Sequence, residues 1–162
     1  MERIVENVEK NVEKITDGKT YVNNKIIFSI HLPNISEIEM YGFFNCSNIT
    51  IISAPNVTKI NNQGIIHCVS LAYIEMPLLQ EIGNHGITHC AVEKLNFPCL
   101  EKIGNYAFDY CYKLKIIIAP KLKQIGTHGF ISCKNVTIVT NEEMMDILQV
   151  QYPNIATELY CV

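Results

Sequence analysis

Five cysteines, Cys46, Cys68, Cys90, Cys111 and Cys133, fall at steps of 22, 22, 21 and 22 residues. Ile38, Ile60, Ile82, Ile103 and Ile125 keep the same rhythm, as do Pro55, Pro77, Pro98 and Pro120, with Pro33 one period earlier. A unit this short cannot bury its own apolar face, so a chain that repeats it stacks the copies into a solenoid. The clearest copy is IGNYAFDYCYKLKIIIAPKLKQ, from Ile103 to Gln124.

Within the unit each column has a physical reading. Gly42, Gly64, Gly86, Ala107 and Gly129 precede Phe43, Ile65, Ile87, Phe108 and Phe130, so a small residue permits close approach while a large one fills the interior. Asn62, Asn84, Asn105 and Thr127 are helix N-cap types, which predicts a single helical or 3₁₀ turn ending at the cysteine, on the convex side. An apolar-x-x-apolar-x-apolar pattern follows, as in Leu71, Ile74 and Met76, or Leu114, Ile117 and Ala119. Its last part alternates as a short strand does, and proline ends it. The third repeat is one residue short, and a deletion between Cys90 and Val92 preserves the strand register.

The ends depart from the repeat. From Glu2 to about Ile15 the apolar Ile4, Val8, Val12 and Ile15 recur at helical spacing, which predicts an amphipathic capping helix within residues 1–20. Residues 21–140 supply about six coils, the first incomplete, with Asn24 in place of cysteine. Residues 141–162 form the C-terminal cap. There Asn141 is placed to cap a helix through EEMMDILQVQ that covers the last coil with Met145, Leu148 and Tyr152 and stops at Pro153. The 162 residues make one domain.

Composition narrows the function. A 48% hydrophobic, 18% charged chain supports a continuous core. A net charge of −3, with one arginine in thirteen basic residues, argues against nucleic acid. The charged N-terminus lacks the apolar heart of a signal peptide and no run is long enough to span a membrane, so the expected location is cytoplasmic, with the cell surface as the alternative. Five of the seven cysteines belong to the repeat and read as buried free thiols. Coils about 4.8 Å apart nevertheless lie within disulfide reach.

Units such as IGNYAFDYCYKLKIIIAPKLKQ and IGTHGFISCKNVTIV resemble the BspA-like leucine-rich repeat, over roughly Ile26 to Thr140. Glu39 and Asn61 depart from it where the turn glycine belongs. The resemblance implies an α/β solenoid: a right-handed, curved superhelix with one short parallel strand per coil, short helical turns on the convex side and helical caps at both ends. It implies protein binding or attachment to a surface, and no catalytic residues.

The residues the repeat leaves free are the candidates for function. Those flanking the centre of each strand point outward on the expected concave face: Ile51 and Ser53, Tyr73 and Glu75, Lys94 and Asn96, Ile116 and Ile118, then Ile138 and Thr140. An apolar patch with a polar centre there suits a protein partner, although β-branched residues also stack well as simple sheet filler. Neither nucleic acid nor membrane insertion is expected, and a monomer is the default state. His67 and His89 share a column, with His85 nearby, but a closed zinc site needs four ligands and the adjoining cysteines face inward, so neither metal nor cofactor is expected. The same inward cysteines exclude a Cys-His hydrolase. Lys102, Lys113, Lys115, Lys121, Lys123 and Lys134 gather in two coils, as a solvated face or a surface that steers an acidic partner.

Overall fold

The structure, a computed structural model, describes residues 14, 15, 23 and 27–160. In chain order the first eight strands are β1 (Lys14–Ile15), β2 (Ser29–His31), β3 (Glu37–Ile38), β4 (Phe43–Phe44), β5 (Ile51–Ser53), β6 (Lys59–Ile60), β7 (Ile65–Ile66) and β8 (Tyr73–Glu75). Then come β9 (Glu81–Ile82), β10 (Ile87–Thr88), β11 (Lys94–Asn96), β12 (Lys102–Ile103), β13 (Ile116–Ile118), β14 (Gln124–Ile125) and β15 (Thr137–Thr140). Helix α1 (Glu142–Gln151) and strand β16 (Ala156–Leu159) complete the order.

Every pairing is parallel, between strands one coil apart, as stacked copies of one unit require. The chain is a parallel β-solenoid. The leading isoleucines form one sheet, β1-β3-β6-β9-β12-β14, with a strand from each of six coils. Its outward residues run Glu37, Lys59, Glu81, Lys102, and neighbouring side chains pair at 3.5 Å (Lys59–Glu81) and 3.1 Å (Lys102–Glu81). Opposite charges in adjacent rungs favour this register over a slipped one.

The predicted inward columns are buried throughout. Ile49, Ile52, Leu71, Ile74, Val92, Leu95, Leu114 and Ile117 belong to one core with the leading isoleucines, Phe43, Phe97, Phe108 and the cysteines. Cys111 Sγ donates to the carbonyl of Ile87 at 3.4 Å, and Cys133 Sγ to that of Phe108 at 3.1 Å. Each thiol thus reaches into the coil before it.

Several expectations are corrected. The N-terminal helix lies outside the described residues apart from Lys14 and Ile15, which form a strand paired with β3 and so belong to a coil. One strand per coil is too few, since the segment before the cysteine is extended in three coils and forms the sheet β10-β7-β4. Among the described residues hydrogen-bonded turns, not helical ones, occur there in two coils, where Cys111 N bonds Phe108 O and Cys133 N bonds Phe130 O. The residue types explain the difference: β-branched Ile65-Ile66 and Ile87-Thr88 favour the extended form, and Ala107-Phe108-Asp109 accommodates a turn.

The asparagine column has a different task from capping. Asn62 Oδ1 accepts from the backbone N–H of Asn84, Asn84 Oδ1 from Asn105, and Asn105 Oδ1 from Thr127, each at 2.8 Å. This is a ladder between coils. At the C-terminal end α1 forms with Asn141 as its N-cap, but it buries Met144 and Leu148 instead of Met145. It then leads into β16, an unforeseen strand paired with β15.

The glycines preceding the asparagine column exist for close approach. A Cβ at Gly104 would lie 2.6 Å from the carbonyl carbon of Gly83, whereas at Gly129 its nearest neighbour would be the Tyr152 hydroxyl at 3.4 Å. Gly104→Ala should therefore lower stability by about 1–3 kcal/mol, the usual cost of overpacking. Gly129→Ala should stay within about 0.5 kcal/mol of wild type. Urea unfolding of the two variants checks this, and equal midpoints would show that close approach does not select the glycines.

Candidate functional site

The candidate site lies on the ladder of longer strands, which divides in two: β2-β5-β8 and β11-β13-β15-β16. The division falls at the coil that is one residue short, where β8 and β11 form no ladder. Register aligns Ser29, Ile51 and Tyr73 in one outward column and His31, Ser53 and Glu75 in the other. Beyond the division the columns continue as Lys94, Ile116, Thr137 and Ala156, and as Asn96, Ile118, Val139 and Glu158.

Eight of the nine predicted residues therefore stand where the sequence places them, and Ile138 does not. It pairs with Ile117 and is fully buried, and Thr140 is buried with it. The sixth coil has one residue fewer between Val136 and the strand, and a slip of one residue transfers a strand's side chains to the opposite face. Thr137 and Val139 hold the outward places instead.

Exposure separates the two halves. Ile51 is 38% exposed and Tyr73 53%, side by side in adjacent rungs. Ile116 and Ile118 are half-buried, which fits the sheet-filler role open to β-branched neighbours. Next to Ile51 and Tyr73 runs a polar chain: the Ser53 hydroxyl donates to Glu75 Oε2 at 2.7 Å and lies 3.0 Å from His31 Nδ1. With the hydroxyl hydrogen committed to Glu75, the imidazole N–H is the donor to Ser53. A hydrolytic triad needs the histidine between serine and carboxylate. Here serine stands between them, so the arrangement holds side chains in place and does not activate a nucleophile.

Neither Cys90 nor Cys133 is suited to nucleophilic chemistry, and Cys68, held down at about 4 by hydrogen bonding with the Cys46 thiol, is fully buried. Burial pushes Cys133 up to about 12, and contact with the Cys111 and Cys68 thiols together with burial holds Cys90 well above its ordinary value. Reactive cysteines are exposed and readily ionised. Among the described residues no three His, Cys, Asp or Glu side chains meet in a way that could hold a metal ion. Of the six gathered lysines, Lys102, Lys115 and Lys123 pair with Glu81, Glu93 and Glu101 at 3.1, 2.8 and 2.9 Å, which offsets half of the cluster.

Sequence reasoning missed the left-handed conformation of two columns at the coil corners. Tyr41, Gln63, His85, Tyr106 and His128 form one, and Asn23, Asn45, His67, His89 and Tyr110 the other, all with φ between 52° and 60°. Asparagine and histidine are enriched among non-glycine residues in this left-handed region, and that enrichment was the available signal. The rings meet between coils, His67 tilted against His89 at 4.1 Å and His89 stacked on Tyr110 at 4.3 Å between centroids. His89 Nδ1 is buried without a hydrogen-bond partner.

Stacked parallel strands, an axial asparagine ladder and a core of leucine-type columns define a leucine-rich-repeat solenoid. The family model for the BspA type leucine rich repeat region matches residues 7–115 and 36–154, with six copies. The chain belongs to that family. A leucine rich cell surface protein from Faecalibacterium prausnitzii A2-165 shares the fold, with a TM-score of 0.55 and 23% identity over 73% of this chain and 40% of that one. The chain thus spans less than half the length of that protein. Comparison with curated proteins finds no match.

Burial lowers the pKa of His89 and its neighbour His67 adds to the effect, while Asp109 opposes it. A folded pKa below the ordinary 6.5 means that the unfolded chain takes up the proton more readily. This part of the stability is present above about pH 6.5 and is lost as pH falls below it. Unfolding midpoints measured at about pH 7.5 and about pH 5.5 should differ less in His89→Asn, which keeps a residue suited to positive φ, than in wild type. An equal drop in both would remove His89 as the cause.

Proposed function

We propose that this chain is a non-enzymatic protein-interaction module that engages a protein partner through the outward face of its strand ladder. The contact centres on Ile51, Ser53, Tyr73 and Glu75, with Lys94 and Asn96 across the division and Ile116 and Ile118 as a flank. The observation that carries this reading is the exposed Ile51–Tyr73 pair beside a preorganised polar row. Interface anchors are characteristically aromatic and apolar side chains bordered by polar groups, and tyrosine is prominent among them. The fold by analogy favours binding but selects no partner.

Affinity capture from lysate of the source organism tests it with wild type, Ile51→Asp/Tyr73→Asp and Leu78→Asp, the last altering an exposed leucine away from this face. The expected result is one protein recovered by wild type and by Leu78→Asp, and reduced about thirtyfold with the double variant, the equivalent of about 2 kcal/mol for a central anchor. Recovery that is equal in all three rejects this face.

A role at the cell surface is the second reading, favoured by the described location of the structurally similar protein. Asn34 and Asn56 each begin an N-x-Ser/Thr triplet and are exposed. Glycans on them in material from the source organism support this role. An intact mass with no added sugar and seven free thiols supports the cytoplasmic alternative.

A further inference from the structure

Among the described residues β16 is the last rung of the strand ladder, and its residues are unlike those of the rungs before it. The central residue is buried in β5, β8, β11 and β13, whereas none of the residues of β16 is. Register sets Thr157 beside Ile138 and Leu159 beside Thr140, both fully buried, so Thr157 and Leu159 occupy inward columns. Leu159 is nevertheless 44% exposed. Ile155, earlier in the same alternation, only partly packs against the core and borders a cavity of about 310 Å³ that Phe130, Ile131 and Tyr152 also line. Among the described residues β16 has a ladder partner on one side only. Its four residues include one charge, Glu158, and no lysine or proline of the kind that discourages pairing.

We propose that this edge is completed by β16 of a second copy of the chain, antiparallel about a two-fold axis normal to the sheet. Such an axis keeps inward residues opposite inward residues only if it passes through a residue position. Centred on Glu158 it would set that carboxylate against itself, which is unfavourable. Centred on Ala156 it would set Leu159 against Pro153, which has no N–H to pair. Centred on Thr157 it sets threonine against threonine, Ala156 against Glu158 of the second copy, and Ile155 against Leu159 of the second copy. That register brings together the two apolar residues left partly uncovered and opposes no like charges. The contact is isologous and closes on itself. Ile147 and Val150 are exposed on α1, which packs beside β16. Glu142, Glu143 and Asp146 on the same helix oppose the contact electrostatically, so association is to be measured at physiological salt, where charges are screened beyond about 8 Å.

Directly opposed residues of antiparallel strands lie about 4.5–5.5 Å apart at Cα, within disulfide range. In a chain carrying Cys99→Ser and Cys161→Ser, Thr157→Cys should form a covalent dimer on mild oxidation. Glu158→Cys, whose own mate is displaced along the strand, should not. In parallel, sedimentation of the unmodified chain should show a dimer that Leu159→Lys converts to monomer with the unfolding midpoint retained, because Leu159 lies outside the closed core. An unmodified chain that stays monomeric at its highest soluble concentration overturns the proposal. So does equal cross-linking of the two cysteine variants, or a dimer that Leu159→Lys leaves intact.

Discussion

At the corners of this molecule the backbone N–H groups point along the solenoid axis. His67 N bonds Thr88 O, His89 N bonds Asp109 O, Tyr41 N bonds Gln63 O and His85 N bonds Asn105 O, each reaching from one coil to the next. A coil in isolation would leave these groups without partners, and buried backbone groups are rarely left so. Coil-to-coil spacing is therefore set by hydrogen bonding, and the column preferences follow from it. Glycine stands where Cβ would strike the adjoining backbone, asparagine where its side chain can join the axial ladder, and left-handed residues where the chain must turn with its N–H kept on axis. Stability of such an array is a sum over neighbouring coils, so the ends require separate treatment.

The parts of the fold legible in the sequence were those fixed by recurrence. A core column repeated five times cannot be mistaken for surface, and Leu114, Ile117 and Cys111 face inward as their spacing requires. Residues with two physical uses were not legible. Asparagine serves both as a helix cap and as an inter-coil acceptor, so Asn84 suggested a helical turn that its coil does not have. Histidine showed only a shared column, with no metal expected, where His67 and His89 are turn residues whose rings meet between coils. The charge alternation Glu37, Lys59, Glu81, Lys102 was in plain view but acquires meaning only once register puts those residues side by side.

The candidate site was legible in position more than in character. Period counting located Ile51, Tyr73, Glu75 and Lys94 on one face, because two residues flanking a buried strand centre have no other place to go. It could not separate exposed from shielded, since that depends on which neighbours stack. Ile116 and Ile118 are screened within their own sheet, and Tyr73 stands at the division made by the short coil. The shortened repeat thus does more than accommodate a deletion. It interrupts the ladder and leaves the tyrosine more than half exposed at the break.

A second one-residue contraction, between Val136 and β15, terminates the repeat. It turns Thr140 inward, and the buried hydroxyl donates to Ala119 O at 3.0 Å, which attaches the end of β15 to the previous coil. The next residue, Asn141, is then placed so that its amide donates to Pro120 O at 3.0 Å and Leu122 O at 2.9 Å while its side-chain oxygen accepts from Met144 N. One side chain therefore ties the end of β15 to the previous coil and starts the helix that follows. The slip that removed Ile138 from the outward face is the same event that makes this geometry possible. A strand one residue longer would turn Thr140 to solvent and aim Asn141 away from Pro120.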